Sequence, residues 1–423
     1  MARYAKDNRP HLKPVEKIQL SGENTLLRAV VAALFLLIGA GALAYAFSRL
    51  FSTEPGWRTI EAGSSDGPSC AQEFTLLYEL GAGEQNTTSE NRALVQLYTR
   101  ACRTAYQMFN AYEGADGMVN LWEIGQHPNE TLQVDAALYH RLELIQFYGD
   151  RTIYLGPVFA RYDGVFRCQD DSQLADFDPR LSQEVAEEYA AVAAYAMDPA
   201  QIDIELLEDF KVCLRVSEEY LAYIQENGID HLLDFGWMAN AFTVDYVGNE
   251  LIQAGFTHGV LSSSDGFVCC MDDRELPYTL VLYDEIDARP VQVGAMEYQG
   301  RMCMVNLRGF PAAAGDGQRY YRLKSGEIRT RYLNPEDGVC KSSVSSMVCC
   351  SPVLGCADLA MRAAPVFIAE ELDLNAVQEL DDNGYGVEVL LLQDGQITAT
   401  DPGLTVTNLR EGYMVVDIHR WSS

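Results

Sequence analysis

Residues 29–47 (AVVAALFLLIGAGALAYAF) form a run of 19 without a single charge. A helix of that length reaches about 28 Å at about 1.5 Å per residue, close to the thickness of a bilayer's hydrocarbon core. The run predicts a membrane span, and it divides the chain before any other feature is considered. Ahead of it Arg3, Lys6, Arg9, Lys13, Lys17 and Arg28 outnumber Asp7, Glu16 and Glu23, which holds the leader on the cytoplasmic side. The bulk of the chain is then expected outside the cytoplasmic membrane. A cleaved signal peptide is the rival, because Ala44-Tyr45-Ala46 fits a small-residue cleavage site, but the long leader and long apolar run favour a retained anchor. The expected organisation is a basic leader (1–28), an anchor (29–48), a Gly-, Ser- and Pro-rich tether (49–69) and an extracytoplasmic domain (70–423).

Of 423 residues, 31 are Lys or Arg and 61 are Asp or Glu, a formal net charge of −30. Nucleic-acid binding needs clustered cations that track phosphates, so that partner class is excluded. With 48% hydrophobic residues the chain can bury a large core without cross-links. All 11 Cys lie beyond the apolar run, where an oxidising compartment permits pairing, and the odd number leaves at least one unpaired. The adjacent pairs Cys269-Cys270 and Cys349-Cys350 lack Cys-x-x-Cys or His spacing, so buried thiols or disulfides are expected rather than a metal site. Strand alternation would send the two members of each pair to opposite faces.

Apolar residues at three- and four-residue spacing over 89–112 predict an amphipathic helix. Further helices are expected at 132–147, 181–196, 204–224, 241–253 and 357–372. Strands are expected at 278–283, 291–293, 302–307, 344–348, 387–392 and 404–407, with Asp394-Gly395 as a hairpin turn. Helices and strands mix throughout, so the fold class is α+β, mixed sheets packed with helices.

Generic catalytic patterns are nearly absent. The single Gly-x-Ser-x-Gly string, at 63–67, falls in the tether, away from the strand-to-helix elbow that would expose a nucleophile. No phosphate loop and no His-Glu-x-x-His occur. Acidic residues in apolar or Gly-flanked settings remain: Asp245, Asp265, Asp316 and Asp358.

The segment Asp234-Phe-Gly236-Trp-Met-Ala239-Asn240-Ala241-Phe-Thr-Val-Asp245 resembles the Asp-Leu-Gly-Gly-Ile-Ala-Lys-Gly-Tyr-Ala-Val-Asp pattern of the ApbE-type family, the FAD:protein FMN transferases. Four more segments follow the family's order. They are Gly149-Asp-Arg-Thr-Ile-Tyr-Leu-Gly156-Pro157-Val158, Ala314-Gly315-Asp316-Gly-Gln-Arg319-Tyr320-Tyr321, Arg331-Tyr-Leu-Asn334-Pro335-Glu-Asp-Gly338 and Ala357-Asp358-Leu-Ala-Met-Arg362. The resemblance covers roughly residues 70 to 407. It implies an ApbE-like body outside the membrane that uses FAD and Mg²⁺ to move FMN onto a Thr or Ser of a membrane flavoprotein. Carried over segment by segment, it implies cofactor contacts at Asn240, Asp245, Asp265, Gly315, Asp316, Arg319 and Asn334, and a metal ligand at Asp358.

The departures fall on the residues that should carry chemistry. The family's Lys becomes Asn240, which removes a fixed positive charge while keeping an amide donor. The position of the family's His base is occupied by Arg331, whose guanidinium cannot give up a proton near neutrality. The Thr beyond the metal Asp becomes Arg362, a cation where an oxygen ligand is expected. The Gly-Gly-Asp turn becomes Ser263-Ser264-Asp265. A register error of one or two residues would make Tyr332 or Arg319 a candidate for some of these roles. The expected function is thus a membrane-anchored ApbE-like protein whose transfer activity is weakened or lost, or else a flavin-binding or structural domain without catalysis.

Overall fold

Phe74, Leu76, Tyr78 and Leu80 are buried while Thr75 and Leu77 between them are exposed, the period of two that makes a strand with one face on a core. The same logic repeats along the chain of this computed structural model, which describes residue 30 and residues 53–63, 68–83, 86–312, 314–380, 384–401 and 404–418. The strands are β1 (Gly56–Ile60), β2 (Phe74–Leu80), β3 (Thr131–Gln133), β4 (Ile202–Leu207), β5 (Lys211–Val216), β6 (Gly259–Ser263), β7 (Phe267–Cys270), β8 (Pro277–Ile286), β9 (Arg289–Gln299) and β10 (Met302–Arg308). After them come β11 (Tyr320–Arg322), β12 (Ile328–Thr330), β13 (Ser346–Ser351), β14 (Glu388–Gln393), β15 (Gln396–Ala399), β16 (Thr405–Thr407) and β17 (Met414–Asp417). The helices are α1 (Thr87–Phe109), α2 (Leu121–Gln126), α3 (Ala136–Tyr148), α4 (Gly156–Tyr162), α5 (Gln183–Met197), α6 (Glu218–Asn227), α7 (Ala239–Gln253), α8 (Cys356–Phe367) and α9 (Leu374–Glu379).

Nine strands form the main sheet in the order β1-β2-β6-β7-β10-β13-β14-β15-β17, antiparallel except for the β15–β17 pair. Its two faces bury different partners. Leu261, Val305, Met347, Cys349, Val389 and Leu391 join the large core with helices α1, α7 and α8. Met304, Val348, Cys350, Leu390 and Leu392 join a second core with Leu282, Val293 and Met296 of β8 and β9. A three-stranded sheet, β16-β9-β8, thus covers the face opposite the helices. Cys349 and Cys350 fall on opposite sides of β13, as alternation predicted, and all 11 cysteines are free thiols.

Two expectations need correction. Residues 204–224, read as one helix, fold as the β4–β5 hairpin followed by α6. Ile202, Ile204, Val212, Leu214 and Val216 are buried at alternate positions, and Asp209 and Phe210 turn the chain with φ of 60° and 55°. The two-residue period prevails there over helix propensity. The tether is also not featureless, because its residues 56–60 form β1 and pair with β2. Asp394 and Gly395, with φ of 52° and 75°, make the expected turn between β14 and β15. The apolar run at 29–47 lies outside the described residues apart from Val30, and among the described residues no helix is long and apolar enough to cross a membrane.

Candidate functional site

Helix α7 sits between two cavities, and the predicted site residues divide between them. The first opens at its start. A tight turn at Gly236–Met238 leads into α7, with Gly236 at φ +57° and its Cα so close to Phe159 that a Cβ would meet the ring at 2.2 Å. Only glycine meets both demands. The turn presents Trp237, and the first turn of α7 presents Asn240, to a cavity of about 190 Å³ whose other walls include Glu73, Asp265, Arg319, Arg331 and Tyr332.

Its charges are already matched. Asn240 Nδ2 donates to Asp265 Oδ2 at 2.9 Å, and the Ser263 hydroxyl donates to Asp265 Oδ1 at 2.5 Å. Arg319 pairs with Glu73 and lies 3.8 Å from Asp265. Burial holds the Asp265 carboxyl above its ordinary range, against the pull of Arg319, Ser263 and Asn240. Arg331 bonds Asp163 Oδ1 at 3.0 Å and lies over the Phe166 ring, 5.4 Å from its centroid. Trp237 Nε1 and Arg331 Nε are buried donors without a hydrogen-bond partner among the described residues. No histidine lines the cavity among the described residues.

The second cavity, about 340 Å³, lies further along α7 and is bordered by Arg141, Asp245, Arg301, Cys303 and Asp358. Asp245 accepts the backbone N–H of Cys356 at 2.7 Å and of Ala357 at 2.9 Å, closing the N-terminus of α8. Two charge-assisted bonds at a helix N-terminus favour the carboxylate. Burial is nevertheless the larger effect, and the Asp245 pKa is raised to about 6. Gly355 makes this clamp possible, since a Cβ there would stand 2.6 Å from the Asp245 carboxylate. Asp358 Oδ1 accepts the Tyr148 hydroxyl at 3.0 Å, and Arg362 Nε donates to the same hydroxyl at 3.0 Å. The Arg362 guanidinium lies over the rings of Tyr148 and Tyr385. Tyrosine therefore stands between the two charges.

Asn240, Asp265, Arg319 and Arg331 meet in the first cavity; Asp245 and Asp358 meet in the second. Gly315 lies in the Ala314–Gln318 turn. Asp316 is buried beside it, accepting the Ala312 N–H at 2.8 Å with Arg308 4.0 Å away. Asn334 shapes its own loop, accepting the Glu336 N–H and donating to the Ile368 carbonyl at the end of α8. Sequence reading did not single out Glu73, Trp237, Arg141, Cys303 or Cys356. Trp237 stood inside a quoted segment, whereas Glu73 and Arg141 had no local signal.

No protein-family model matches the sequence, and no curated protein matches it significantly. Solved structures do. The chain superposes on an ApbE protein from Thermotoga maritima with a TM-score of 0.53 at 12% identity, covering 84% of this chain and 97% of that one. It superposes on the flavin transferase ApbE from Vibrio cholerae with a TM-score of 0.54 at 13% identity, covering 85% and 98%. The resemblance traced from five short segments thus holds at the level of architecture, and this chain is ApbE-like, a divergent bearer of the flavin transferase fold.

Proposed function

We propose that the protein binds a flavin nucleotide in the first cavity and that its transferase step is weakened or lost. The reading includes a membrane anchor at 29–47 and an extracytoplasmic body, with a membrane flavoprotein as the acceptor if transfer survives. The aromatic walls from Trp237, Phe267, Tyr320 and Tyr332 suit a planar ring. At about 190 Å³ the cavity admits the ring system and not a whole dinucleotide, so the rest of FAD would lie outside it.

The single observation that carries the loss of transfer is Arg331, which occupies the place of the expected base and is tied to Asp163. A guanidinium cannot take the proton of an attacking hydroxyl. The counter-charges add to this. Arg319 and Arg331 are offset by Glu73, Asp265 and Asp163, leaving no surplus positive charge for a diphosphate. Mg²⁺ does not fit at Asp358, because Tyr148 occupies one oxygen and Arg362 stands where a second oxygen ligand is expected. No step is therefore routed through it.

The test uses full-length protein in detergent. FAD is expected to bind with quenching of flavin fluorescence, and Trp237→Ala is expected to weaken binding about 10- to 100-fold, the worth of an aromatic stacking partner. With Mg²⁺ and a Thr-bearing acceptor, AMP release is expected to stay near background. Failure to bind any flavin overturns the reading; brisk AMP release overturns the loss of catalysis.

A further inference from the structure

A cluster that the flavin reading does not use lies at the wall of the second cavity, which Asp245 and Cys303 line and Cys356 backs. Cys303 on β10 and Cys356 at the start of α8 bring their sulfurs within 4.8 Å of each other and of an Asp245 carboxylate oxygen. The Cys303 thiol interacts with Cys269 and Cys356 on either side, and Cys269 stands directly opposite Cys303 in the β7–β10 pairing. We propose that Asp245, Cys303 and Cys356 bind one divalent transition-metal ion of the zinc class, with a fourth position facing the cavity.

Donor chemistry selects the metal. Two sulfurs and one carboxylate suit a borderline ion such as Zn²⁺ and not Mg²⁺, which demands octahedral oxygen. With Zn–S near 2.3 Å and Zn–O near 2.1 Å, ligand atoms on a tetrahedral ion lie about 3.5 to 3.8 Å apart, so the observed cluster needs to contract by only about 1 Å. The ligands stand on rigid elements, one on a central strand and two on the facing helices α7 and α8. Asp245 is aimed by the Cys356 and Ala357 N–H groups, the kind of outer contact that fixes a ligand's orientation. Arg141 and Arg301 border the same cavity and offset the surplus negative charge of two thiolates and a carboxylate. Binding requires both thiols to release their protons, which is ordinary for zinc sites. The proposal is independent of the flavin reading, since the two cavities share no lining residue.

Full-length protein, reduced with a non-chelating phosphine and freed of metal, is titrated with Co²⁺. Thiolate-to-cobalt charge-transfer absorption is expected to saturate at one ion per chain, to be displaced by Zn²⁺ and to survive excess Mg²⁺. Cys303→Ser and Cys356→Ala are each expected to weaken binding at least about 100-fold, beyond what loss of an outer-shell contact costs. Cys168→Ser, remote from the cluster, is expected to change nothing. Far-ultraviolet circular dichroism and melting curves confirm that each variant is folded. Cys303 is half-buried, so its isosteric serine keeps the test open if the Cys356 variant does not fold. A folded wild type without the charge-transfer band, or a band that persists in folded Cys303→Ser, overturns the proposal.

Discussion

The two cavities beside α7 are built from opposite materials. The first is aromatic, with its charges offset: Asp265 and Glu73 face Arg319, Arg331 is held by Asp163, and the neutral Asn240 amide donates to Asp265. The second sets carboxylates, thiols and guanidinium groups around a space, and its central carboxylate is clamped to a helix N-terminus. Asn240 and Asp245 are five residues apart on one helix, which turns them about 140° from each other at about 100° per residue. One continuous sequence segment therefore serves two environments. The comparison teaches that residues of one short segment can serve two separate sites.

The largest expected effect falls on the clamp. Gly355→Ala drives a methyl into the Asp245 carboxylate and is expected to destabilise the fold by about 2 to 3 kcal/mol, the usual cost of overpacking at a site that cannot relax. Gly317→Ala, beside the first cavity with nothing within 4 Å of the added Cβ, is expected to cost less than about 0.5 kcal/mol. Equal melting temperatures for the two variants would remove the contrast between a tight second cavity and an open loop at the first.

Asn240→Lys tests the charge balance of the first cavity. An ammonium beside Asp265 brings the two guanidiniums and three carboxylates of the cavity to balance, and is expected to tighten FAD binding about 10-fold, measured by fluorescence titration. Cobalt binding is expected to be unchanged. A gain in the second cavity and none in the first would show that the division between them is wrong.

The smallest effect is one of pH. The Asp265 pKa is raised, chiefly by burial, so the stability this group contributes is complete below the unfolded carboxylate value and is lost as pH rises through its elevated folded value. Protonation leaves Arg319 facing Glu73 alone. Affinity for FAD is therefore expected to rise as pH falls towards the carboxylate range, and Asp265→Asn is expected to flatten that slope. A slope of the opposite sign would mean that neutralising Asp265 does not free Arg319 for the flavin phosphates.

Much of the scaffold was legible because its signals are local. The three- and four-residue spacing of Leu94, Leu97, Tyr98, Ala101 and Ala105 marks α1, and Asp394-Gly395 marks a hairpin. The β4–β5 hairpin was hidden because its turn, Glu208-Asp209-Phe210, lacks glycine and leaves an apolar run that also fits a helix face. The site was less legible still. Glu73 and Arg319 are 246 residues apart, and nothing near either one announces their ion pair.

The sequence by itself determined the periodicities, the turns, the acidic balance and the order of five segments, because each depends on neighbours along the chain. Only the tertiary structure decided that Asp245 would face thiols while Asn240 faces an aromatic cavity, and that Arg331 would be held by Asp163. Those outcomes depend on which surfaces pack together, and packing brings remote residues into contact through burial and charge that no local spacing encodes.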